Sequence, residues 1–453
     1  MPNQLTKNTI KPIASAESAV KVKKITPPQL VRGMHDLLPA EWPWWNFISS
    51  VIKEQAEAYR FERLETPILE KLNLFTRAIG TTTDIVEKEM FAFVDKNEDH
   101  LALRPEYTAG LARAYIEHGM MALPKPIKLF CFGPVFRHER PQAGRFREFR
   151  QYDFEIYGEA GAAADAQIIL LASSFFSKLH LPITIQINSV GCPTCRTAFR
   201  QKLVDYFRSK RSHLCEDCKR RLVKNPLRIL DCKVEECHIQ AMRAPQIVDS
   251  LCLECSTHFT KLLEYLDEVD LAYQLNPYLV RGLDYYTRTV FEIWAEGDDG
   301  KNTLAAGGRY DNLITDLGGV PTPAIGFAGG SERLISELKN RAIPVPEIPP
   351  PDLFLACLGE PARKKAFRLF EELRSQGVKV AESFTKDGLK GQLEIANKLK
   401  VKFALVLGQK EMMDGTIIVR DMENGIQEIV DLKKVVSEIK KRIEASVTDT
   451  SLL

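Results

Sequence analysis

The sequence contains no apolar run that approaches the eighteen or more residues of a membrane span. Residues 1–25 carry Lys7, Lys11, Lys21, Lys23 and Lys24 but no apolar signal-peptide core, and they read as a disordered basic tail. Net charge is nearly absent, because 62 Lys and Arg against 60 Asp and Glu leave a formal +2. Any polyanionic partner must therefore be met by a local basic surface and not by overall charge. Cysteine is scarce outside one segment, Cys192 to Cys255, which holds all but Cys131 and Cys357. Without a secretory signal, clustered CxxC pairs point to metal in a reducing cytosol and away from a disulfide scaffold. The expected location is cytoplasmic.

What is present is ordinary globular material, 45% hydrophobic and 27% charged, in 453 residues. That length predicts about two to four domains and a sizeable core. The most unusual stretch is 133–158, GPVFRHERPQAGRFREFRQYDFEIYG, with Arg137, Arg140, Arg145, Arg147 and Arg150 close together. Its middle carries Pro and Gly and reads as a turn. Its right flank, Gln151 to Tyr157, alternates polar and apolar residues as a half-buried strand does. Two strands joined by an arginine-rich loop are expected. Each guanidinium offers planar paired donors suited to phosphate; a solvated basic loop is the plainer alternative.

Apolar spacing predicts a helix over 41–59, with Trp45, Ile48, Ile52, Ala56 and Tyr59 on one face. A strand should stop at Pro67, since proline cannot donate to a ladder. Pro105 breaks another strand, and Thr108 to Glu117 can open a helix. Glu106 and Thr108 therefore sit at a strand-to-helix junction, where side chains often face a ligand. A helix is expected over 161–180 and a strand over 181–190. Residues 279–292, LVRGLDYYTRTVFE, join an Arg-Gly turn and two tyrosines to a strand, Thr289 to Trp294. AAGGRYDNL (305–313) and AIGFAGGSERL (324–334) are glycine-rich, and the second reads as a strand feeding a helix. IPVPEIPPP, 343–351, is a stiff linker. Beyond it strands (353–358, 403–407, 416–420, 428–430) alternate with helices (362–376, 432–443). Ala366, Phe367, Phe370 and Leu373 are expected inward on the first helix. The segment reads as an independent α/β domain.

Within the cysteine-rich segment, Cys192/Cys195, Cys215/Cys218 and Cys252/Cys255 are CxxC pairs, and Cys232/Cys237 forms a wider one. Two knuckles about twenty residues apart are a recurring structural zinc spacing, and eight thiolates could fill two four-cysteine sites. His213, His238 and His258 could replace some of them. A redox CxxC and plain buried cysteine remain as alternatives.

Together these strings resemble the class II aminoacyl-tRNA synthetases, and the histidyl-tRNA synthetases among them. Phe136-Arg137-His138-Glu139 is similar to motif 2, 61–69 to motif 1 and 324–334 to motif 3, while RGLDYYTRT and AAGGRYDN look like histidine-specific signatures. The resemblance implies an α/β (α+β) fold with an antiparallel class II sheet flanked by helices. Its catalytic domain would span 26–191 and 259–338, with a small helical insertion at 192–258, the linker at 343–351, an anticodon-binding domain at 352–443 and a tail at 444–453. It implies that ATP, with Mg2+, activates L-histidine, and that the product passes to the 3′ end of tRNA-His. Arg137 and Arg281 would be the catalytic arginines on the α-phosphate, and Arg333 would meet the γ-phosphate. Glu106 and Thr108, with Gln151 nearby, would hold the α-ammonium group; Glu155 and Tyr286 would meet the imidazole; Tyr285 and Tyr310 would line its pocket. It also implies a homodimer and an insertion that clamps the tRNA acceptor arm. A related alternative is the synthetase-like regulatory subunit of ATP phosphoribosyltransferase, which shares the catalytic fold without the anticodon domain or the intact signature. The chain departs from the family pattern at Tyr107, where glycine is usual, and at Gly329 and Ser331, where larger apolar residues are usual.

Overall fold

A computed structural model describes residues 27–80, 83–140, 144–297 and 302–450. The basic segment 1–25 and the loop tip 141–143 lie outside them, as do 451–453. The chain divides into two compact units, one ending at Val345 and the other beginning at Pro346.

The first unit is organised on an eight-stranded sheet. Across the sheet the strands run Glu62–Arg63, Ile127–Phe136, Glu148–Tyr157, Ala324–Gly330, Thr303–Arg309, Thr287–Ala295, Ile183–Ser189 and Gln274–Leu275. All inner pairings are antiparallel, and only the two dipeptides at the edges pair parallel. The arginine-rich stretch is the hairpin expected: Ile127 pairs with Tyr157, and the ladder continues to Phe136 opposite Glu148.

Strand alternation sends Tyr152, Phe154 and Ile156 to one face. There they meet Trp45, Ile48 and Ile52 of the helix Trp42–Ala58, Ile168 and Phe175 of Ala162–Lys178, and Leu334 of Ser331–Asn340. Gln151, Asp153 and Glu155 point to the other face. The half-buried strand expected here is in fact covered on both sides, since these three residues are 5%, 0% and 1% exposed. The cover includes the helix Thr108–Glu117, Tyr285 and Tyr286, whose buried cluster extends into the cysteine-rich segment.

That segment folds as helices Pro193–Arg208, Glu216–Lys224 and Glu235–Ala241, and it leads into Leu253–Asp267, which runs across position 258 without a break. Phe199, Leu203, Phe207 and Ile229 belong to the same buried cluster as Tyr285 and Tyr310. On the far side of the sheet, Asp165 is fully buried between Arg309 and His258. Burial opposes its charge, but Arg309 and His258 hold its carboxyl below the usual range.

The second unit carries a five-stranded sheet in the order Val380–Glu382, Leu353–Cys357, Phe403–Leu407, Thr416–Asp421, Gln427–Asp431, parallel over the first three strands and antiparallel over the rest. Helix Glu360–Ser375 buries Ala362, Ala366, Leu369 and Leu373. Phe367, expected inward, is instead 55% exposed and stacks on Phe384 with ring centroids 4.7 Å apart. The inward stripe is set by Leu369, which the sequence reading passed over. Helices Leu389–Lys398 and Gln409–Asp414 were not foreseen. The closing helix, Val435–Thr450, continues through the region expected to be a tail from 444. Among the described residues no helix is long and apolar enough to cross a membrane.

Candidate active site

Every residue singled out for catalysis, amino acid or nucleotide lines a single cleft of about 270 Å3: Glu106, Thr108, Arg137, Gln151, Glu155, Arg281, Tyr285, Tyr286, Tyr310 and Arg333. One part of it is built from carboxylates and phenols. Glu155 sits on the sheet, and its two oxygens accept hydrogen bonds from Thr108 Oγ1 (2.7 Å) and from the Tyr310 hydroxyl. Burial lifts its carboxyl to about 8, although both hydrogen bonds pull the other way. Thr108 thus faces Glu155 in the described structure. Glu106 Oε1 accepts from the Ala109 amide at 3.0 Å, while its buried Oε2 has no hydrogen-bond partner. Burial raises this carboxyl too. A buried acceptor without a partner is costly, and a ligand that donates to it is correspondingly favoured. Gln151 Nε2 donates to Asp153 Oδ1 at 2.8 Å. Tyr285 packs against Tyr286 and Tyr310, at centroid distances of 4.7 and 5.6 Å.

The other part is cationic. Arg137 Nε donates to the Pro105 carbonyl at 2.8 Å, and its guanidinium lies 5.4 Å from the centre of the Phe149 ring. Arg281 pairs with Glu292 and lies 5.6 Å from the Tyr286 ring centre. Burial works against the Arg281 charge, but Glu292 together with Tyr286 and Tyr285 more than offsets it. Arg333 Nη1 donates to the Thr303 carbonyl at 2.6 Å. Sequence reasoning gave no role to the groups that fix these arginines. Glu292 also accepts from Trp294 Nε1 (2.9 Å) and Thr303 Oγ1 (3.1 Å), and Glu139 stands between Arg137 (4.0 Å) and Arg145 (3.4 Å). A lone carboxylate in the apolar strand Thr287–Ala295 was the available signal for Glu292.

Two of the three departures from the family pattern, Tyr107 and Gly329, have local reasons. Tyr107 does not line the cleft. It is fully buried, accepts a 2.6 Å hydrogen bond from Arg104 Nη2, and sits where a side chain at Gly133 would have to go. Gly329 likewise leaves room for the phenol of Tyr152 on the neighbouring strand. Ser331 is fully buried and its hydroxyl has no hydrogen-bond partner.

The eight clustered cysteines form two groups, Cys192/Cys195/Cys252/Cys255 and Cys215/Cys218/Cys232/Cys237, each with its sulfurs within 4.8 Å of one another. Cys192/Cys195 and Cys215/Cys218, about twenty residues apart, do not group together; the first knuckle joins the last, and the two pairs between them join each other. Cys192–Cys195, Cys192–Cys252 and Cys215–Cys232 sulfurs are 3.6, 4.0 and 3.9 Å apart. A tetrahedral site with Zn–S bonds of about 2.3 Å needs sulfurs roughly 3.8 Å apart. Amides of Cys252 and Cys215 donate to the Cys195 and Cys237 sulfurs at 3.1 Å, although burial still raises both thiols. Burial would raise the Cys192 thiol, but hydrogen bonds centred on Cys195 bring it to about 6. His258 is engaged with Asp165 at 2.8 Å and stands outside both groups, as do His213 and His238.

An antiparallel sheet that presents buried carboxylates and three arginines to one cleft, followed by a separate α/β unit, defines a class II aminoacyl-tRNA synthetase. Comparison with known proteins narrows this. A family model described as histidyl-tRNA synthetase matches residues 33–334, and one described as anticodon binding domain matches 352–442. A histidine–tRNA ligase of Dehalococcoides mccartyi is 44% identical over 416 residues, 92% of this chain and all of that protein. One from Desulforamulus reducens is 42% identical over 91% of this chain and 98% of its own length. The crystal structure of apo S. aureus histidyl-tRNA synthetase superimposes with a TM-score of 0.77 at 33% identity, covering 91% of this chain and all of that one. The chain belongs to the histidyl-tRNA synthetase family.

Proposed function

We propose that this chain activates L-histidine with ATP and transfers the histidyl group to the 3′ end of tRNA-His. The observation that carries the reading is the buried Glu155, held by Thr108 and Tyr310 in the same cleft as Arg137, Arg281 and Arg333. Neutral imidazole has one donor and one acceptor nitrogen. Glu155 accepts from the ring N–H, and the Tyr286 hydroxyl meets the other nitrogen. Glu106, through its unpartnered oxygen, receives the α-ammonium group, with Gln151 nearby; Tyr285 and Tyr310 wall the pocket.

The histidine carboxylate attacks the α-phosphorus in line, the bond to the β-phosphate oxygen breaks, and pyrophosphate leaves. Arg137 and Arg281 stabilise charge on the α-phosphate, and Arg333 binds the γ-phosphate end. Little covalent work falls to the protein, so positioning and preorganised charge carry the rate. ATP would enter as its magnesium complex, in which the metal would supply charge that offsets the leaving pyrophosphate. The tRNA 3′-terminal hydroxyl then displaces AMP from the adenylate.

The two cysteine groups hold structural zinc, since both meet the sulfur spacing of a four-thiolate site. The unit from Pro346 onward takes the anticodon, the chain acts as a homodimer, and it works in the cytoplasm. The presence of that second unit, together with the assembled arginines, disfavours the regulatory-subunit alternative. Histidine-dependent ATP–pyrophosphate exchange, followed by charging of tRNA-His, tests the reading. Exchange with histidine alone among the amino acids is expected; its absence in folded protein overturns the proposal.

A further inference from the structure

Three cleft residues, Arg281, Tyr285 and Tyr286, lie on a stretch with no helix or ladder of its own. Between 281 and 286 the chain makes only bends and a turn before the strand begins at Thr287. Such a segment must find partners for its backbone elsewhere, or it opens easily.

Those partners come largely from the cysteine-rich segment. Arg228 Nη1 donates to the Gly282 carbonyl at 2.8 Å. Asn225 Nδ2 donates to Asp284 Oδ1 at 2.9 Å. Arg196 donates to the Asp284 carbonyl at 3.4 Å and to the Tyr286 carbonyl. From the catalytic body, Asp284 N donates to the Ile79 carbonyl at 3.2 Å, and Glu292 pairs with the Arg281 guanidinium. The donors are themselves held. Arg196 directly follows Cys195 at the start of helix Pro193–Arg208, and Asn225 and Arg228 lie between Cys218 and Cys232. Arg221 and Arg228 also reach the Asp84 carboxylate, at 3.3 and 3.5 Å, and Lys224 reaches Glu87 at 3.1 Å.

We infer that the cysteine-rich segment positions the Arg281–Tyr286 turn, and that Arg196, Asn225 and Arg228 are positioning residues for amino-acid activation. The inference rests on the proposed function for what the turn does, but not for whether the turn is held. Each cysteine group fixes the base from which one side of the grip extends. The segment thereby acts on the first chemical step, apart from any contact with tRNA.

The test uses the full-length chain with Arg228→Ala, Arg228→Lys, Asn225→Asp and Arg200→Ala. Arg200 is the control, because it donates to Val223 and Lys224 carbonyls within the segment itself. Asn225→Asp sets a carboxylate against Asp284. Amide hydrogen exchange of peptides covering 279–287 is read by mass spectrometry on ligand-free protein. Arg228→Ala and Asn225→Asp should quicken exchange there by about tenfold, as expected when a locally opening segment loses a charge-assisted bond. Arg228→Lys, which keeps a donor for Gly282, should fall between, and Arg200→Ala should leave the turn unchanged. In the pyrophosphate-exchange assay, Arg228→Ala and Asn225→Asp should lower kcat about 10- to 100-fold and raise the histidine KM, with the ATP KM nearly unchanged, the scale of a misplaced reacting group. Unaltered hydrogen exchange of 279–287 in both Arg228→Ala and Asn225→Asp overturns the inference, as does an equal change in Arg200→Ala. Should Arg228→Ala not fold, Arg228→Lys and Asn225→Asp decide the matter alone. If the parent protein shows no histidine-dependent activity, the functional reading fails while the hydrogen-exchange result still decides whether the turn is held.

Discussion

The carboxylate of Glu155 occupies the space that any side chain at Gly326 would take, and the two residues are directly opposite on neighbouring strands. Glycine at 326 is therefore part of the proposed amino-acid pocket although it contributes no chemistry. Gly326→Ala must push Glu155 off its bonds to Thr108 and Tyr310. The histidine KM should rise about 10- to 100-fold, as for a binding group displaced by an ångström, and the ATP KM should change little. Steady-state exchange kinetics check this.

Selectivity should reside in the same polar groups. Sites that hydrogen-bond a polar substrate reject analogues lacking the partner by about 10⁴–10⁵. Glu155→Gln and Tyr286→Phe should each erode the preference for histidine over phenylalanine, measured as a ratio of kcat/KM. A ratio unchanged in both variants would mean that the imidazole is read elsewhere.

Binding should also move protons. Burial lifts Glu155 to about 8, so at pH 7 the free protein holds it mostly protonated; Glu106 is raised as well. Ammonium and ring N–H donors need carboxylate acceptors, so histidine binding favours the ionised forms. The bound state then carries fewer protons, and affinity rises with pH up to about 8. Calorimetry at pH 7 in buffers of different ionisation enthalpy should show proton release, reduced in Glu155→Gln. Proton uptake would contradict the assignment.

Arg281 should act on the transition state more than on binding. Arg281→Ala should lower the single-turnover rate of adenylate formation about 10²- to 10³-fold, the loss seen when one charge-stabilising donor is removed. Histidine affinity, measured by calorimetry, should change far less.

Elemental analysis of protein produced with zinc available should find two zinc ions per chain, one for each cysteine group. Cys218→Ser and Cys255→Ser should each remove about one, because a structural site needs all four ligands.

Much of this was legible in the sequence. Arginines flanked by alternating residues declared the hairpin, and Pro105 followed by Thr108 marked the strand-to-helix junction, because turn and strand signals are local. Burial was less legible. Gln151, Asp153 and Glu155 have the polar spacing of a solvent face, and only distant chain segments make that face an interior. Phe367 misled for the converse reason: its apolar ring is served by Phe384, outside the helix stripe. Glu292, Trp294 and Thr303 support Arg281 and Arg333 from two different strands, a relation that exists only after the strands pair. Cysteine spacing identified the pairs but not how they group, since the first knuckle closes on the last, 60 residues away.

That closure makes the cysteine-rich segment a side loop pinched at its neck. The chain leaves the sheet after Ser189 and returns along Leu253–Asp267, and the four sulfurs at the neck lie within 4.8 Å of one another, so that a zinc ion there would tie the outgoing and returning segments together. For a free loop of that length, bringing the ends together costs roughly 4 kcal/mol of chain entropy. A tied neck meets that cost locally and spares the sheet from meeting it. In polymer terms a tied neck fixes where the loop begins and ends, so a change of length within it need not shift the register of the strands that frame the cleft, provided that Arg196, Asn225 and Arg228 keep their places on the turn.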